Sequence, residues 1–133
     1  MKTFTKIYRF EAPMALVHKA LTDPDLIERW TGSVAWFDPQ EGGKFSLWDD
    51  SINGKNVYID DIQIVQDWKE ETWEKYSRVT INLIDIDKNI TELELVHENI
   101  PDESCYNIRE GWDESFMKPL AELLNELMEE AEE

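Results

Sequence analysis

The stretch DDSINGKNVYID, residues 49–60, carries oxygen-bearing side chains at the spacing of a calcium-binding loop. Asp49, Ser51 and Asn53 take the first, third and fifth ligand positions, Gly54 takes the invariant glycine position, and Asp60 takes the last. Carboxylate and amide oxygens at these positions are the ligands that calcium prefers. One interpretation of the segment is therefore a metal-binding loop.

The residues around this stretch favour a turn between strands instead. A calcium loop of this type joins two helices, whereas the flanking KFSLW and NVYID are typical of strands. Lys55 would also bring a positive charge against the ion. Asn-Gly is a strong hairpin signal, because Gly accepts a positive φ without steric cost. We therefore expect a hairpin that turns at Asn53 and Gly54, with Asp49 and Asp60 at its ends and no metal site.

The other reactive side chains form no recognisable catalytic or metal-binding set. His18 and His97 are the only histidines, and they are far apart in the sequence. A structural role is expected for each, although alternation in TELELVH places His97 on the same face as Leu93 and Leu95, where it can look into a cavity. Cys105 lies among acidic residues, which disfavour its thiolate. We expect no catalytic residue and no cofactor.

Aromatic residues give the strongest remaining chemical signal. Six tryptophans in 133 residues is a heavy load, and each large ring must bury its surface. Ordinary packing explains many such rings, but ligand pockets are also mostly apolar and contain few polar groups. The polar residues that could orient a ligand are Tyr58, Gln66 and His97. The residues that we expect to line a cavity are Trp36, Phe45, Leu47, Tyr58, Ile64, Gln66, Trp68, Ile81, Leu93, Leu95, His97, Trp112, Phe116 and Leu120.

The elements that must position these residues can be predicted from their periodicity. TFTKIYRF is typical of a strand, and two short helices follow at ALVHKAL and DLIERW. About six strands come next, in SVAWF, KFSLW, NVYID, IQIVQDW, RVTINLIDI and ITELELVH. Apolar residues at helical spacing then predict a helix over residues 112–131, with a kink at Pro119. This order indicates an α+β domain with a cavity between the long helix and the sheet.

The net charge of −17, from 30 acidic and 13 basic residues, argues against some partners. Nucleic acid and anionic membrane surfaces both need clustered Lys and Arg, so we expect neither. The charge serves solubility or attracts a basic partner. A single cysteine, no apolar signal-peptide segment and no run of 18 apolar residues indicate a cytoplasmic protein.

Six motifs in a fixed order resemble those of a known family. They are FEAP with ALTDPDLIERW, DPQEGGKFSLWDDSINGKNV, IVQDWKEETW, TELELVHENIP and REGWDESF. The chain resembles the START-like, or SRPBCC, superfamily from about Thr5 to Leu127. Within that superfamily it looks like the family of the C-terminal domain of the activator of the heat-shock protein 90 ATPase.

The resemblance implies a helix-grip, birch-pollen-allergen-like fold. In this fold a curved antiparallel sheet of about six or seven strands wraps around a long C-terminal helix, with two short helices after strand one. We expect a single domain over residues 1–133, frayed at residues 1–2 and 129–133. The sequence departs from the family pattern at Lys69, where Arg is more frequent, and at Pro119, which interrupts the last helix.

The resemblance also implies function. START-like proteins commonly receive apolar or amphipathic ligands between helix and sheet, so we first expect a non-enzymatic protein that binds a small apolar or amphipathic ligand. The second hypothesis is a co-chaperone-like factor that contacts a heat-shock protein 90 family ATPase. Eukaryotic activators make most of that contact through an additional N-terminal domain, whereas this sequence begins at the first strand of the C-terminal-type domain. The third hypothesis is a polyketide cyclase-type enzyme, for which no catalytic set is visible.

Overall fold

A computed structural model describes residues 1–132 of the protein. The seven strands are β1 (Lys2–Phe10), β2 (Trp36–Phe37), β3 (Lys44–Leu47), β4 (Ile52–Ile59), β5 (Gln63–Lys69), β6 (Ser77–Asp87) and β7 (Ile90–Ile100). They form one antiparallel sheet in the order β1-β7-β6-β5-β4-β3-β2. The helices are α1 (Met14–Thr22), α2 (Pro24–Thr31), α3 (Cys105–Gly111) and α4 (Lys118–Glu132). The predicted α+β architecture, with two short helices after β1 and a long C-terminal helix against the sheet, is confirmed.

The two short helices meet at a cap that the sequence specifies. Asp23 ends α1 and accepts hydrogen bonds from the backbone N–H groups of Asp25 and Leu26, while Pro24 occupies the first turn of α2. A carboxylate at this position satisfies N–H groups that have no partner within the helix. At the other end, Gly32 adopts a left-handed φ of 70° and donates to the Glu28 carbonyl. The end of α1 and both ends of α2 therefore follow from Asp23, Pro24 and Gly32.

The long strands β6 and β7 contribute a large part of the buried inner face of the sheet. Their register pairs Ile81 with Leu95 and Leu83 with Leu93, and all four side chains are buried. Their hairpin turns between Asp87 and Ile90. Alternate residues on the other face are more exposed, because only one face of the sheet is covered by helices.

The C-terminal helix begins earlier than its apolar spacing predicts. A 3₁₀ turn at Asp102–Ser104 leads directly into α3, and a π-helical turn at Trp112–Met117 connects α3 to α4. In α3 only Ile108 is buried, so the apolar periodicity that indicates a helix is absent before Trp112. Pro119 is the second residue of α4, directly after the π-helical turn. A kink at Pro119 stays a prediction.

The turn expected at Asn53 and Gly54 is wrong. Both residues lie inside β4, and the chain reverses at residues 48–51 instead. Gly54 is required for a different reason: a Cβ there would lie 2.2 Å from the Asp67 carbonyl oxygen and 2.4 Å from Cζ of Phe45. The glycine thus permits a close approach within the sheet rather than a turn.

The residues of the calcium-loop pattern are separated by this strand. Asp49 precedes β4, and Asp60 follows it in the turn to β5. Eight residues of strand span about 25 Å, which places the two carboxylates too far apart to share an ion. The Asp60 side chain instead accepts from the N–H groups of Ile62 and Gln63, and so closes the β4–β5 turn. Among residues 1–132, no group of three or more His, Cys, Asp or Glu side chains is placed to hold a metal ion.

Both ends of the described chain lie in regular elements or next to them. Lys2 is the first residue of β1, and α4 continues to Glu132. The N-terminal amino group contacts the Asp102 carboxylate at 2.8 Å. Fraying at residues 1–2 and 129–132 stays a prediction, and Glu133 lies outside the described residues. Within residues 1–132, none of the helices combines the length and the apolar character needed to span a membrane.

Candidate ligand-binding groove

The space between the C-terminal helix and the sheet is filled by side chains. Nine of the residues expected to line a cavity are buried there: Phe45, Leu47, Ile64, Gln66, Ile81, Leu93, Leu95, His97 and Leu120. The cavity that remains beside Ile64, Gln66 and Ile81 has a volume of about 10 Å³. A void of this size is on the order of one water molecule, so the structure has no room for a ligand at this level of the core.

His97 has a fully satisfied structural environment in this core. Its Nδ1 lies 3.0 Å from the indole Nε1 of Trp112, and its Nε2 lies 2.8 Å from the Ser77 hydroxyl. An indole N–H can only donate, so Nδ1 accepts and the ring proton is on Nε2. The Ser77 hydroxyl in turn donates to the Trp68 carbonyl. Burial lowers the pKa of His97 to about 3, which keeps the ring neutral.

Gln66 belongs to a second buried chain of hydrogen bonds. The Trp68 indole donates to Gln66 Oε1 at 2.8 Å, and Gln66 Nε2 donates to Asn56 Oδ1 at 3.0 Å. Asn56 Nδ2 then donates to the Asp38 carbonyl at 2.7 Å. Each amide group uses both its donor and its acceptor within the core. Gln66 therefore fixes the Trp68 ring, and its amide is occupied by these contacts.

Two of the residues expected in the cavity lie outside the core. Trp36 is 64% exposed on the edge strand β2, because only two residues of the predicted SVAWF strand pair with β3. Tyr58 is 39% exposed, and its hydroxyl donates to Asp60 in the β4–β5 turn. A register shift between Asn56 and Tyr58 interrupts the pairing of β4 with β5 next to this residue.

A groove of about 510 Å³ opens at the edge of the filled core. One wall is formed by α3 and the π-helical turn, and the opposite wall by the β3–β4 turn and the loop that follows β5. Three residues of the expected set line this groove: Trp68, Trp112 and Phe116. The other lining residues are Trp48, Asp50, Ser51, Ile52, Glu70, Glu71, Thr72, Asn107, Ile108, Gly111 and Ser115.

Unusual backbone geometry shapes both walls of the groove. In the β3–β4 turn, Trp48, Asp49 and Asp50 have φ values of 50°, 53° and 68°. Left-handed conformations cost non-glycine residues roughly 1 kcal/mol or more each, and three in a row are uncommon. The opposite wall carries the π-helical turn, a feature that is rare and frequent at functional sites. The fold thus accepts strained backbone where the groove is built.

The π-helical wall is fixed to the opposite end of the sheet. Asp113 accepts a hydrogen bond from Tyr8 and a charge-assisted one from Lys6 of β1, both at 2.7 Å. The Lys6 ammonium beside it lowers the pKa of the Asp113 carboxyl, and the Tyr8 hydroxyl lowers it further. These contacts set the rotation of the turn, and thereby the positions of Trp112 and Phe116.

The floor of the groove is a cluster of aromatic rings. Trp68 and Trp112 stack with centroids 4.6 Å apart, and Phe116 lies 4.4 Å from Trp112. Trp48 meets Phe116 edge-on at 6.2 Å and is only partly buried. Rings in such contact have little freedom, so the floor is preorganised. Trp68, Trp112 and Phe116 are 3%, 2% and 5% exposed, so the partly buried Trp48 offers more surface to a ligand than any of them.

The rim of the groove is acidic. Asp50, Glu70 and Glu71 belong to the lining, and none of the lining residues is a Lys, an Arg or a His. Partial burial raises the pKa of the Glu70 carboxyl. Within residues 1–132, the salt bridges involve none of these three carboxylates. The groove therefore combines an apolar floor with a rim of net negative charge.

Most lining residues outside the aromatic floor were missed by sequence analysis. Asp50, Ser51, Glu70, Glu71 and Thr72 lie in turns, where no periodicity assigns a direction to a side chain. Two acidic residues next to a conspicuous Trp motif, in DWKEETW, are the signal that could have pointed to this rim.

Curated relatives of this chain are named as activators of a chaperone ATPase. The chain is 35% identical over 94 residues to the activator of 90 kDa heat shock protein ATPase homolog of Dictyostelium discoideum, an alignment that covers 68% of this chain and 24% of that protein. It is 28% identical over 104 residues to the activator homolog 1 of Homo sapiens, covering 77% of this chain and 31% of the human protein. The chain therefore spans about a quarter to a third of the length of these relatives.

Solved structures share the fold. The crystal structure of an HSP90 activator from Plasmodium falciparum superposes with a TM-score of 0.86 at 32% identity, covering 94% of this chain and 97% of that chain. CalU16 from Micromonospora echinospora superposes with a TM-score of 0.79 at 26% identity, covering 96% of this chain and 79% of that one. The expected helix-grip fold is thereby confirmed. The family model of activator of Hsp90 ATPase homolog 1-like proteins matches residues 11–125, and this chain belongs to that family.

Proposed function

We propose that this protein is a non-enzymatic binding module whose ligand occupies the groove beside Trp112. The observation that carries the proposal is the placement of Trp48, Trp68, Trp112 and Phe116 around one concave space of about 510 Å³. This volume lies in the range of pockets that hold small molecules. The ligand therefore sits at the edge of the core rather than under the length of α4.

Two structural features support this location over the centre of the core. The cavity within the core has a volume of only about 10 Å³, and the buried polar groups there satisfy one another. The groove walls, by contrast, carry the left-handed turn and the π-helical turn, and strained backbone persists chiefly where function requires it. A ligand that covers the floor gains roughly 25 cal/mol per Å² of apolar surface removed from water, before the costs of binding.

Gly111 permits a test that separates groove occupancy from folding. It lines the groove in a helical conformation, and a Cβ there would meet no atom within 4 Å. We expect Gly111→Leu to place an isobutyl group in the groove and to reduce the affinity for the neutral probe 1-naphthalenemethanol at least tenfold. Helix propensity favours Leu over Gly by roughly 0.5–1 kcal/mol, so the variant should keep or raise its melting temperature. Isothermal titration calorimetry measures the affinity.

The matched control is Ala15→Leu, which adds a similar group at an exposed position of α1. It should bind the probe as the unmodified protein does. The proposal fails if the unmodified protein does not bind the probe, or if Gly111→Leu binds it with unchanged affinity.

A second candidate function is contact with a heat-shock protein 90 family ATPase. It is favoured by the family assignment and by the Plasmodium falciparum HSP90 activator, whose chain matches this one over 97% of its length. The net charge of −17 would favour a basic surface on such a partner. We place both functions in the cytoplasm, where a free cysteine such as Cys105 stays reduced.

The test is the ATPase rate of the chaperone from the same cell, measured with increasing amounts of this protein. An activator should raise the rate to a plateau, and added salt should weaken the effect because exposed charges are screened. An unchanged rate at saturating protein would argue against this function. Repeating the titration with Gly111→Leu shows whether the groove takes part in the contact.

A further inference from the structure

We propose that the groove selects a small cationic amphiphile, a molecule with a flat apolar body and a protonated amine. This inference rests on the proposed function, because it names the ligand class of the same groove. The apolar body would lie against Trp48, Trp112 and Phe116, and the amine would meet Glu70 and Glu71 at the rim.

The charge distribution around the groove favours a positively charged ligand. Three of its lining residues are carboxylic acids, and none is a Lys or an Arg. Lys69 does not line the groove, but it lines an adjoining concave surface together with Asp50, Glu70 and Glu71, and its ammonium lies 5.7 Å from the centroid of the Tyr76 ring. One cation therefore lies beside three carboxylates, so the rim keeps an excess of negative charge that attracts a cationic ligand.

The acids lie beside the aromatic floor of the groove, and this favours an amphiphilic ligand. Glu70 directly follows β5, two residues after Trp68, so it stands at the end of the strand that supplies the floor. Its carboxylate is partly removed from water, which makes an attractive partner worth more than at a fully exposed site. Aromatic faces add further attraction for an ammonium group held within about 6 Å.

Other occupants match the groove less well. A neutral apolar molecule would cover Glu70 without providing a partner for its charge, and this is unfavourable. An anionic molecule would be repelled by all three carboxylates. The groove volume of about 510 Å³ suits a small molecule, and binding of a lysine-rich peptide is an alternative that the experiment can reveal.

Three naphthalene derivatives of matched size test the charge preference. They are 1-naphthylmethylamine, 1-naphthalenemethanol and 1-naphthoate, which are cationic, neutral and anionic at neutral pH. We expect the amine to bind about tenfold more tightly than the alcohol, and the naphthoate to bind most weakly. Added salt should reduce the advantage of the amine without changing the affinity of the alcohol.

The double variant Glu70→Gln with Glu71→Gln should bring the affinity of the amine close to that of the alcohol, because the two amides are neutral and no longer attract the ammonium group. The matched control is Glu122→Gln with Glu129→Gln, which removes the same charge from exposed positions on α4. This control should keep most of the preference, because screening weakens distant charges.

The outcomes distinguish this inference from the function on which it rests. If the alcohol binds and the amine binds no better, the charge preference is wrong while the groove function stands. A preference that persists in the Glu70→Gln, Glu71→Gln variant would also overturn it. Failure of all three probes would reject both. A lysine-rich peptide that binds where the amine does not would overturn the assignment to a small molecule.

Discussion

The indole nitrogen of Trp112 donates a hydrogen bond to Nδ1 of His97 at 3.0 Å. This contact joins the π-helical wall of the groove to β7. It also explains why the core is closed beneath the groove, since His97 uses both ring nitrogens on protein groups. His97 therefore has no ring nitrogen left for a ligand. It holds in place the Trp112 ring, which lines the groove.

His97 should make stability depend on acid. Its pKa in the folded state is about 3, below the ordinary value of 6.5, so the unfolded chain binds the proton first as pH falls. The contribution of the neutral ring is complete above pH 6.5 and is lost as pH falls toward 3. We expect His97 alone to remove about 3 kcal/mol of unfolding free energy between pH 7 and pH 4. Urea denaturation across this range measures the total.

The His97→Gln variant isolates the share that belongs to this residue, because the acidic residues titrate in both proteins. Its stability should fall less steeply with acid than that of the unmodified protein. A nitrogen-detected NMR titration of the imidazole gives an independent check. A His97 midpoint between pH 6 and 7 would contradict the buried neutral ring.

The left-handed conformation of the β3–β4 turn should lower the free energy of unfolding and strengthen ligand binding. Asp49 is exposed and has a φ of 53°, which glycine adopts without cost. We expect Asp49→Gly to raise the free energy of unfolding by up to about 1 kcal/mol. The same change should weaken binding of 1-naphthalenemethanol several-fold, because a looser turn no longer holds Trp48 over Phe116. Equal affinity in both proteins would show that the strain serves no binding role.

Gly54 should be intolerant of any side chain. Its Cβ would meet the Asp67 carbonyl and the Phe45 ring at distances that atoms do not adopt, so the strands must move apart. We expect Gly54→Ala to lower the free energy of unfolding by about 2 kcal/mol. Gly42→Ala is a useful comparison, because Gly42 has free space around it and its cost would come from its φ of 80° alone. If Gly54→Ala left the free energy of unfolding unchanged, the strands around Gly54 would have to lie farther apart than they do in the structure.

These glycines also show where sequence reasoning succeeds and where it stops. Alternation along β6 and β7 and the caps of α2 are local patterns, and the structure agrees with them. Asn53 and Gly54 match a local turn pattern too, but Gly54 is set by Phe45 and Asp67 from neighbouring strands. No pattern within the segment reports such a contact, so the hairpin prediction was wrong.

The groove could be predicted only in part for the same reason. Trp68, Trp112 and Phe116 lie in periodic elements, so their inward direction could be inferred. Asp50, Glu70 and Glu71 lie in turns, and their approach to α3 depends on how the whole sheet curves. The sequence also could not show that the core is filled, because alternation identifies a packed face but does not determine the volume of a cavity behind it.

Binding in the groove is tested most directly by an NMR titration of the ¹⁵N-labelled protein with 1-naphthylmethylamine. We expect the largest shifts in three segments that line the groove: residues 48–52, 70–72 and 107–116. The indole N–H signals of Trp48, Trp68 and Trp112 should shift with the same dissociation constant. Shifts centred instead on the buried residues Ile81, Leu93 and Leu95 would place the ligand under α4 and contradict binding in the groove. An absence of shifts at saturating probe would contradict it as well.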